Sequence, residues 1–154
     1  MKKFLWLFVL LPVIGILAMK KNIVVEKSTI HETVNWYSWE QAIELNKKSP
    51  RKLLVDFYTD WCGWCKKMDA TTFPNDTIAA YMNKHFYCVK FDAERKDTIQ
   101  FSGTKFSFIS PKTGQNNGIH EMAYALMDGT PGYPTIVYLN EKFERILISP
   151  GYKT

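Results

Sequence analysis

Residues 52–59, KLLVDFYT, run through Leu53, Leu54, Val55, Phe57 and Tyr58 with one aspartate, Asp56, among them. A strand with one wet face alternates apolar and polar side chains, whereas a continuous apolar run suits a central strand covered on both faces. That requirement points to a sheet with helices packed on it, an α/β architecture. Just past the C-terminal end of this strand stands Cys62-Gly63-Trp64-Cys65, bracketed by Trp61 before and Lys66 and Lys67 after. The pair reads as a redox dithiol, half of a metal site, or core packing.

The rest of the chain fits around the strand. Ser38 followed by Gln41 reads as a capping box opening a helix through about Asn46, with Trp39, Ala42 and Ile43 on its apolar side. CGWCKKMDATTF predicts a helix broken at Pro74, and NDTIAAYMNKHF restarts it with Asn75 or Asp76 as cap. FYCVKFDA reads as a second strand. IQFSGTKFSFI reads as a hairpin around Ser102 to Lys105, followed by the loop SPKTGQNNG and a short helix IHEMAYALM. YPTIVYL and FERILIS read as two final strands joined by a turn near Asn140 to Lys142. The whole suits one globular domain, as expected of 154 residues that are 46% apolar.

The N-terminus is of another kind. Lys2 and Lys3 precede an uninterrupted apolar run from Phe4 to Met19, the layout of a secretory signal and short for a membrane span. Residues 1–19 therefore read as a signal peptide or an N-terminal membrane anchor, 20–35 as a linker and 36–154 as the folded domain. Either version implies export to the cell envelope, facing outward. Of the 20 basic residues, Lys2 and Lys3 belong to this appendage, leaving 18 against 15 acidic ones. Those charges form no stripe, which removes the reason to invoke nucleic acid.

Export to an oxidising compartment, the C-x-x-C spacing and the strand-to-helix position together favour a dithiol. A cysteine at a helix N-terminus faces unpaired N–H groups and the positive end of the dipole, which favours its thiolate. Cys62 is the expected nucleophile. Cys65, one turn further in, is the expected resolving thiol that attacks the mixed disulfide. Lys66 and Lys67 either add positive potential or are solvated helix residues. The rival metal reading uses Cys62, Cys65, His85 and Cys88, a spacing close to that of structural zinc; against it, Cys88 falls inside a strand and His85 suits a helix end. A non-catalytic peptide-binding module is a third class, although both cysteines are present.

The segment VDFYTDWCGWCK resembles the active-site stretch of the thioredoxin-like family, in which a strand with a buried aspartate runs into W-C-x-x-C-K. Two distant matches accompany it: Lys90 in CVKFDAE, and Pro134 in GYPT at 132–135. The resemblance implies a thioredoxin-like fold over roughly residues 36–151, a central mixed sheet flanked by helices, with a hairpin and loop inserted between Asp97 and Asn117. It also implies a thiol–disulfide oxidoreductase of exported proteins, with protein thiol and disulfide substrates, a redox donor or acceptor, and no cofactor or metal. Asp56 would accept the proton of Cys65, with Lys90 beside it. Pro134 would be cis, leaving the backbone of Tyr133 free to pair with an extended substrate strand. Trp61, Gly63 and Trp64 would join Tyr133 and Pro134 in the substrate-binding surface. An unpaired Asp56 carboxylate in an apolar strand would be pushed toward its neutral form, which suits a proton acceptor.

Family members also continue past the last strand into a helix, whereas here ILISPGYKT follows. The expectation is a sheet face lacking that cover, and hence marginal stability or self-association through it.

Overall fold

The computed structural model describes residues 31–113 and 117–154. The apolar N-terminal run and residues 20–30 of the expected linker lie outside the described residues. In chain order the elements are β1 (Trp36–Tyr37), α1 (Trp39–Lys48), β2 (Lys52–Tyr58), α2 (Gly63–Thr71), α3 (Asp76–His85), β3 (Phe86–Asp92), β4 (Ile99–Phe101), β5 (Thr104–Phe106), β6 (Phe108–Ile109), β7 (Ile119–His120), α4 (Glu121–Leu126), β8 (Thr135–Leu139) and β9 (Arg145–Pro150).

Five strands form one mixed sheet in the order β1-β3-β2-β8-β9. β1 and β2 flank β3 in parallel, β8 runs antiparallel to β2, and β9 antiparallel to β8. Alternation along the central strands splits the core in two. Leu53, Val55 and Phe57 of β2, Tyr87, Val89 and Phe91 of β3, and Val137 and Leu139 of β8 face one way, against Trp39 and Ala42 of α1 and Met122 and Ala123 of α4. Leu54, Cys88 and Ile136 face the other way, against Met68 of α2 and Ala79 and Met82 of α3. β2 is thus buried on both sides, which is why its sequence shows no period of two. Each large apolar side chain buried in this way contributes about 1.5–3 kcal/mol.

Local signals place the helices. The Ser38 hydroxyl accepts from Gln41 N–H and Gln41 Oε1 accepts from Ser38 N–H at 2.8 Å, the predicted capping box. Asn75 caps α3 through the N–H groups of Thr77 and Ile78. The short helix α4 opens two residues later than IHEMAYALM suggested, because Ile119–His120 pairs as a strand with Phe108–Ile109 and the His120 ring caps the helix. At the β4–β5 turn, Ser102 and Gly103 both take positive φ, as a two-residue hairpin turn with right-handed strand twist requires. Any side chain at Gly118 would run into the Ile109 carbonyl and the Phe108 ring, so only glycine lets the β6–β7 ribbon close there.

Two features were not legible in the sequence. Residues 31–35, the end of the expected linker, lie against α3: Asn83 accepts from Asn35 N–H at 2.8 Å and donates to the Thr33 carbonyl at 2.7 Å, and Val34 is buried. Among the described residues no helix follows β9. Residues 151–153 cross α2 instead, where Tyr152 meets Trp64 at 5.5 Å between ring centroids and bonds Thr71 at 2.8 Å, while the Thr72 hydroxyl donates to the Lys153 carbonyl. Tyr81 is 59% exposed and Leu147 is 54% exposed.

Candidate active site

Cys62 is the N-cap of α2, and its sulfur accepts from the Cys65 N–H at 3.0 Å. The two sulfurs are joined in a disulfide, with Cα atoms 5.3 Å apart. The aspartate-bearing strand ends close enough to the helix that Cys62 N–H reaches back to the Thr59 carbonyl at 3.1 Å. In this oxidised form both cysteines are shielded, Cys62 at 4% exposure and Cys65 at 2%.

Asp56 and Lys90 are direct register partners on β2 and β3, on the α2 side of the sheet. Lys90 Nζ donates to Asp56 Oδ2 at 2.6 Å and also to Asp69 Oδ1 on α2. The ammonium sits in an aromatic box, 4.9 Å from the Trp36 ring, 5.3 Å from Tyr58 and 5.0 Å from Phe73. Asp56 is fully buried, and its second oxygen has no hydrogen-bond partner. Burial pushes its carboxyl above the ordinary carboxylate range, and the Lys90 charge and hydrogen bond only partly oppose this. The result is a buried carboxyl with one oxygen unbonded, on the face of the sheet that α2 covers.

Asp69 escaped the sequence reading, yet helix spacing carried a signal. Cys65, Met68 and Asp69 stand at i, i+3 and i+4 and share one side of α2, and Cys65 and Met68 are both buried. Asp69 lies at the exposed edge of that side, within reach of the Lys90 ammonium.

Across from the dithiol, the Tyr133–Pro134 peptide is cis. Tyr133 stacks edge-on against Trp61, 5.8 Å between ring centroids, and Trp61 Nε1–H donates to Glu94 at 3.0 Å. Burial, reinforced by Glu94 and Asp92, pushes the Tyr133 phenol up to about 12. Trp61 and Trp64 are both 57% exposed, and space is open around Gly63. Lys67 lies over the rings of Trp64 and Tyr152 at 4.9 and 5.4 Å, so it is held rather than merely solvated. Gly151 N–H donates to the Pro134 carbonyl at 2.8 Å, which ties the chain after β9 to the proline loop.

The residues of the zinc reading do not come together. Among the described residues no group of three or more His, Cys, Asp or Glu side chains is arranged to hold a metal. Cys88 is buried between Trp36 of β1 and Leu54 of β2, with its thiol pushed up to about 12 by burial. His85 stacks on Tyr81, 4.5 Å between ring centroids. Strand alternation sends Cys88 into the core, where it is an unreactive packing residue.

The strand order, with a helix-capping disulfide after the central strand, places the chain in the thioredoxin-like class, and solved structures share this architecture. A DsbH oxidoreductase superposes with a TM-score of 0.56 at 20% identity, covering 84% of this chain and 81% of that one. A putative disulphide-isomerase from Bacteroides thetaiotaomicron gives 0.53 at 23% identity, with 80% and 83% covered. The chain belongs to the family whose model, described as "Thioredox_DsbH: Protein of unknown function, DUF255", matches residues 19–116. Among curated proteins it is 34% identical over 56 residues to the thiol:disulfide interchange protein DsbD of Vibrio vulnificus, covering 36% of this chain. It is 29% identical over 70 residues to mouse spermatogenesis-associated protein 20, covering 45% of this chain. In each case the match spans 9% of the relative's own length.

Proposed function

We propose that the chain is a thiol–disulfide oxidoreductase that exchanges disulfides with exported proteins through Cys62 and Cys65. The observation that carries this reading is the Cys62–Cys65 disulfide at the N-cap of α2, with Asp56 buried on the sheet face below. In the reducing direction the Cys62 thiolate attacks one sulfur of a client disulfide, the client S–S bond breaks, and the first client thiolate leaves. Asp56 then takes the Cys65 proton, and the Cys65 thiolate attacks Cys62 Sγ. The mixed disulfide breaks, the second client thiolate leaves, and two electrons have passed to the client. The oxidising direction is the same sequence reversed. The Cys65 N–H aimed at Cys62 Sγ and the unpaired N–H groups of the first helical turn favour the Cys62 thiolate.

Export rests on the Lys2-Lys3 and Phe4–Met19 pattern, which also makes residues 4–19 a membrane anchor if they are retained. A continuous ring path from Tyr81 through Phe86 to Tyr138, with Leu147 beside it in register, supports self-association through that face. Sedimentation against a Leu147→Lys variant reads it out.

The test of the main reading is trapping. Cys65→Ser protein should accumulate mixed disulfides with client proteins, and Cys62→Ser should not. The reverse pattern would exchange the roles of the two cysteines, and trapping by neither would remove the activity.

A further inference from the structure

Of the exposed large apolar side chains, Trp61, Ile109 and Tyr124 line one groove of about 710 Å³, together with Pro131, Tyr133 and Glu94. One end of this groove is the reaction site itself, since Trp61 adjoins Cys62 and Tyr133 adjoins Pro134. The other wall belongs to the insertion: Ile109 lies on β6, which is bound to β7 and through it to α4, the helix that carries Tyr124. Solvent-exposed apolar side chains gathered along a groove mark a binding surface. The charges sort along it as well. Glu94 lines the end nearest the dithiol, and its charge and that of Asp92 both act on Tyr133 there. Burial holds the Asp92 carboxyl above its ordinary range, with the Asp60 and Glu94 charges adding to it and the Glu94 N–H and Lys96 opposing it. Lys112 lines the insertion wall.

We propose that this groove seats the client polypeptide itself: an extended segment leading away from the cysteine engaged by Cys62. Its apolar or aromatic side chain lies against Ile109 and Tyr124, and a Lys or Arg close to its cysteine faces Asp92 and Glu94. The inference rests on the thiol–disulfide reading and gives that reading a client preference. The occupant is a polypeptide rather than a small anionic disulfide such as oxidised glutathione for two reasons. Glu94 and Asp92 beside Tyr133 at the dithiol end of the groove repel an anion, and the apolar side chains continue along the groove away from the dithiol, where only a chain would reach them. The insertion accordingly acts as a specificity element and leaves the exchange chemistry to the dithiol.

Two measurements test this. The first compares reduction of 2-hydroxyethyl disulfide with reduction of a disulfide-linked peptide carrying Lys beside its cysteine and Leu three residues along. In Tyr124→Ala and Ile109→Ser, the ratio of peptide to small-disulfide kcat/KM should fall about five-fold or more, as expected for loss of a central apolar contact. The peptide with Glu in place of Lys should lose a similar factor against the wild-type protein, and that loss should shrink at high salt. The second measures binding of the same peptide with Ser in place of its cysteine, by quenching of tryptophan fluorescence. It should weaken in both variants, and because no exchange occurs it reads the groove even if the thiol–disulfide reading fails. Unchanged ratios and unchanged binding in both variants would overturn the groove assignment, as would equal preference for the Glu and Lys peptides or faster reduction of oxidised glutathione than of the Lys peptide.

Discussion

Asp56 carries two opposed demands. Because burial raises its folded pKa above the ordinary 3.8, the native state holds the proton more tightly than the unfolded chain. Stability is therefore lost as pH rises from the unfolded pKa through the folded one, and the ionised carboxylate is a net cost above that window. In the proposed exchange the same raised pKa suits Asp56 to accept the Cys65 proton. Asp56→Asn should accordingly make the protein more stable at neutral pH while slowing resolution of the mixed disulfide about 10²-fold. Its resolving rate should also lose the acid fall-off that protonation of Asp56 imposes on the wild type. Stopped-flow resolution across pH and urea unfolding at neutral pH measure the two effects on one variant. A stability loss would mean that the Lys90 bond outweighs the desolvation. Lys90 keeps Asp69 as a partner in this variant, so the substitution does not strand a buried cation.

The elements differ in how far they could be read in advance, and the difference follows from where their stabilising contacts lie. α1 and α3 were legible because the Ser38–Gln41 box and the Asn75 cap are local. β2 was legible because burial on both faces removes the polar positions from its sequence. β1 was not, since its two residues gain strand character only by pairing with Cys88 and Val89. At the site, the cysteines, Asp56, Lys90 and Pro134 lie in motifs. Glu94 and Tyr152 act through partners 33 and more residues distant, which no local pattern displays. The stretch after β9 shows this most clearly. GYKT carries no local pattern, yet Tyr152 touches Trp64, Lys67 and Thr71. Tyr152→Ala should cost about 1.5–4 kcal/mol, combining a ring contact, a ring–cation contact and a hydrogen bond. Tyr152→Phe should lose only the hydrogen bond, about 0.5–1.5 kcal/mol. Urea unfolding of the two variants separates these contributions, and equal losses would mean that the ring contacts contribute nothing.

At the scale of the whole molecule, the insertion must be held to a sheet that it does not join, and His120 does much of this. Its backbone N–H donates to the Ala93 carbonyl at 2.7 Å just past β3. Its ring Nδ1 accepts from Met122 N–H at 3.2 Å to cap α4, and Nε2 lies 3.2 Å from the Asp97 carbonyl. These partners fix one neutral tautomer, with Nδ1 as acceptor and Nε2–H as donor. A second proton on Nδ1 would remove the cap inside a site that is fully buried against Phe91. Burial, helped by the Arg95 charge, lowers the ring's pKa below 6.5, while Asp97 and Glu121 pull it the other way without prevailing. The unfolded chain therefore takes up this proton first as pH falls. The contribution of His120 is present in full above 6.5 and is lost as pH drops from there through the folded pKa. Asp56 and Asp92, whose carboxyls are raised, act with opposite sign, so the total pH dependence mixes the two. A comparison of wild type with His120→Asn isolates the histidine, because asparagine can still cap the helix but does not titrate. Urea unfolding at pH 7.5 and at pH 5 should show the wild type losing more stability on acidification than the variant, whatever the absolute cost of the substitution. An identical change in both proteins would show that the buried ring protonates without disturbing the fold, and that the attachment of the insertion to the sheet does not depend on the neutral ring.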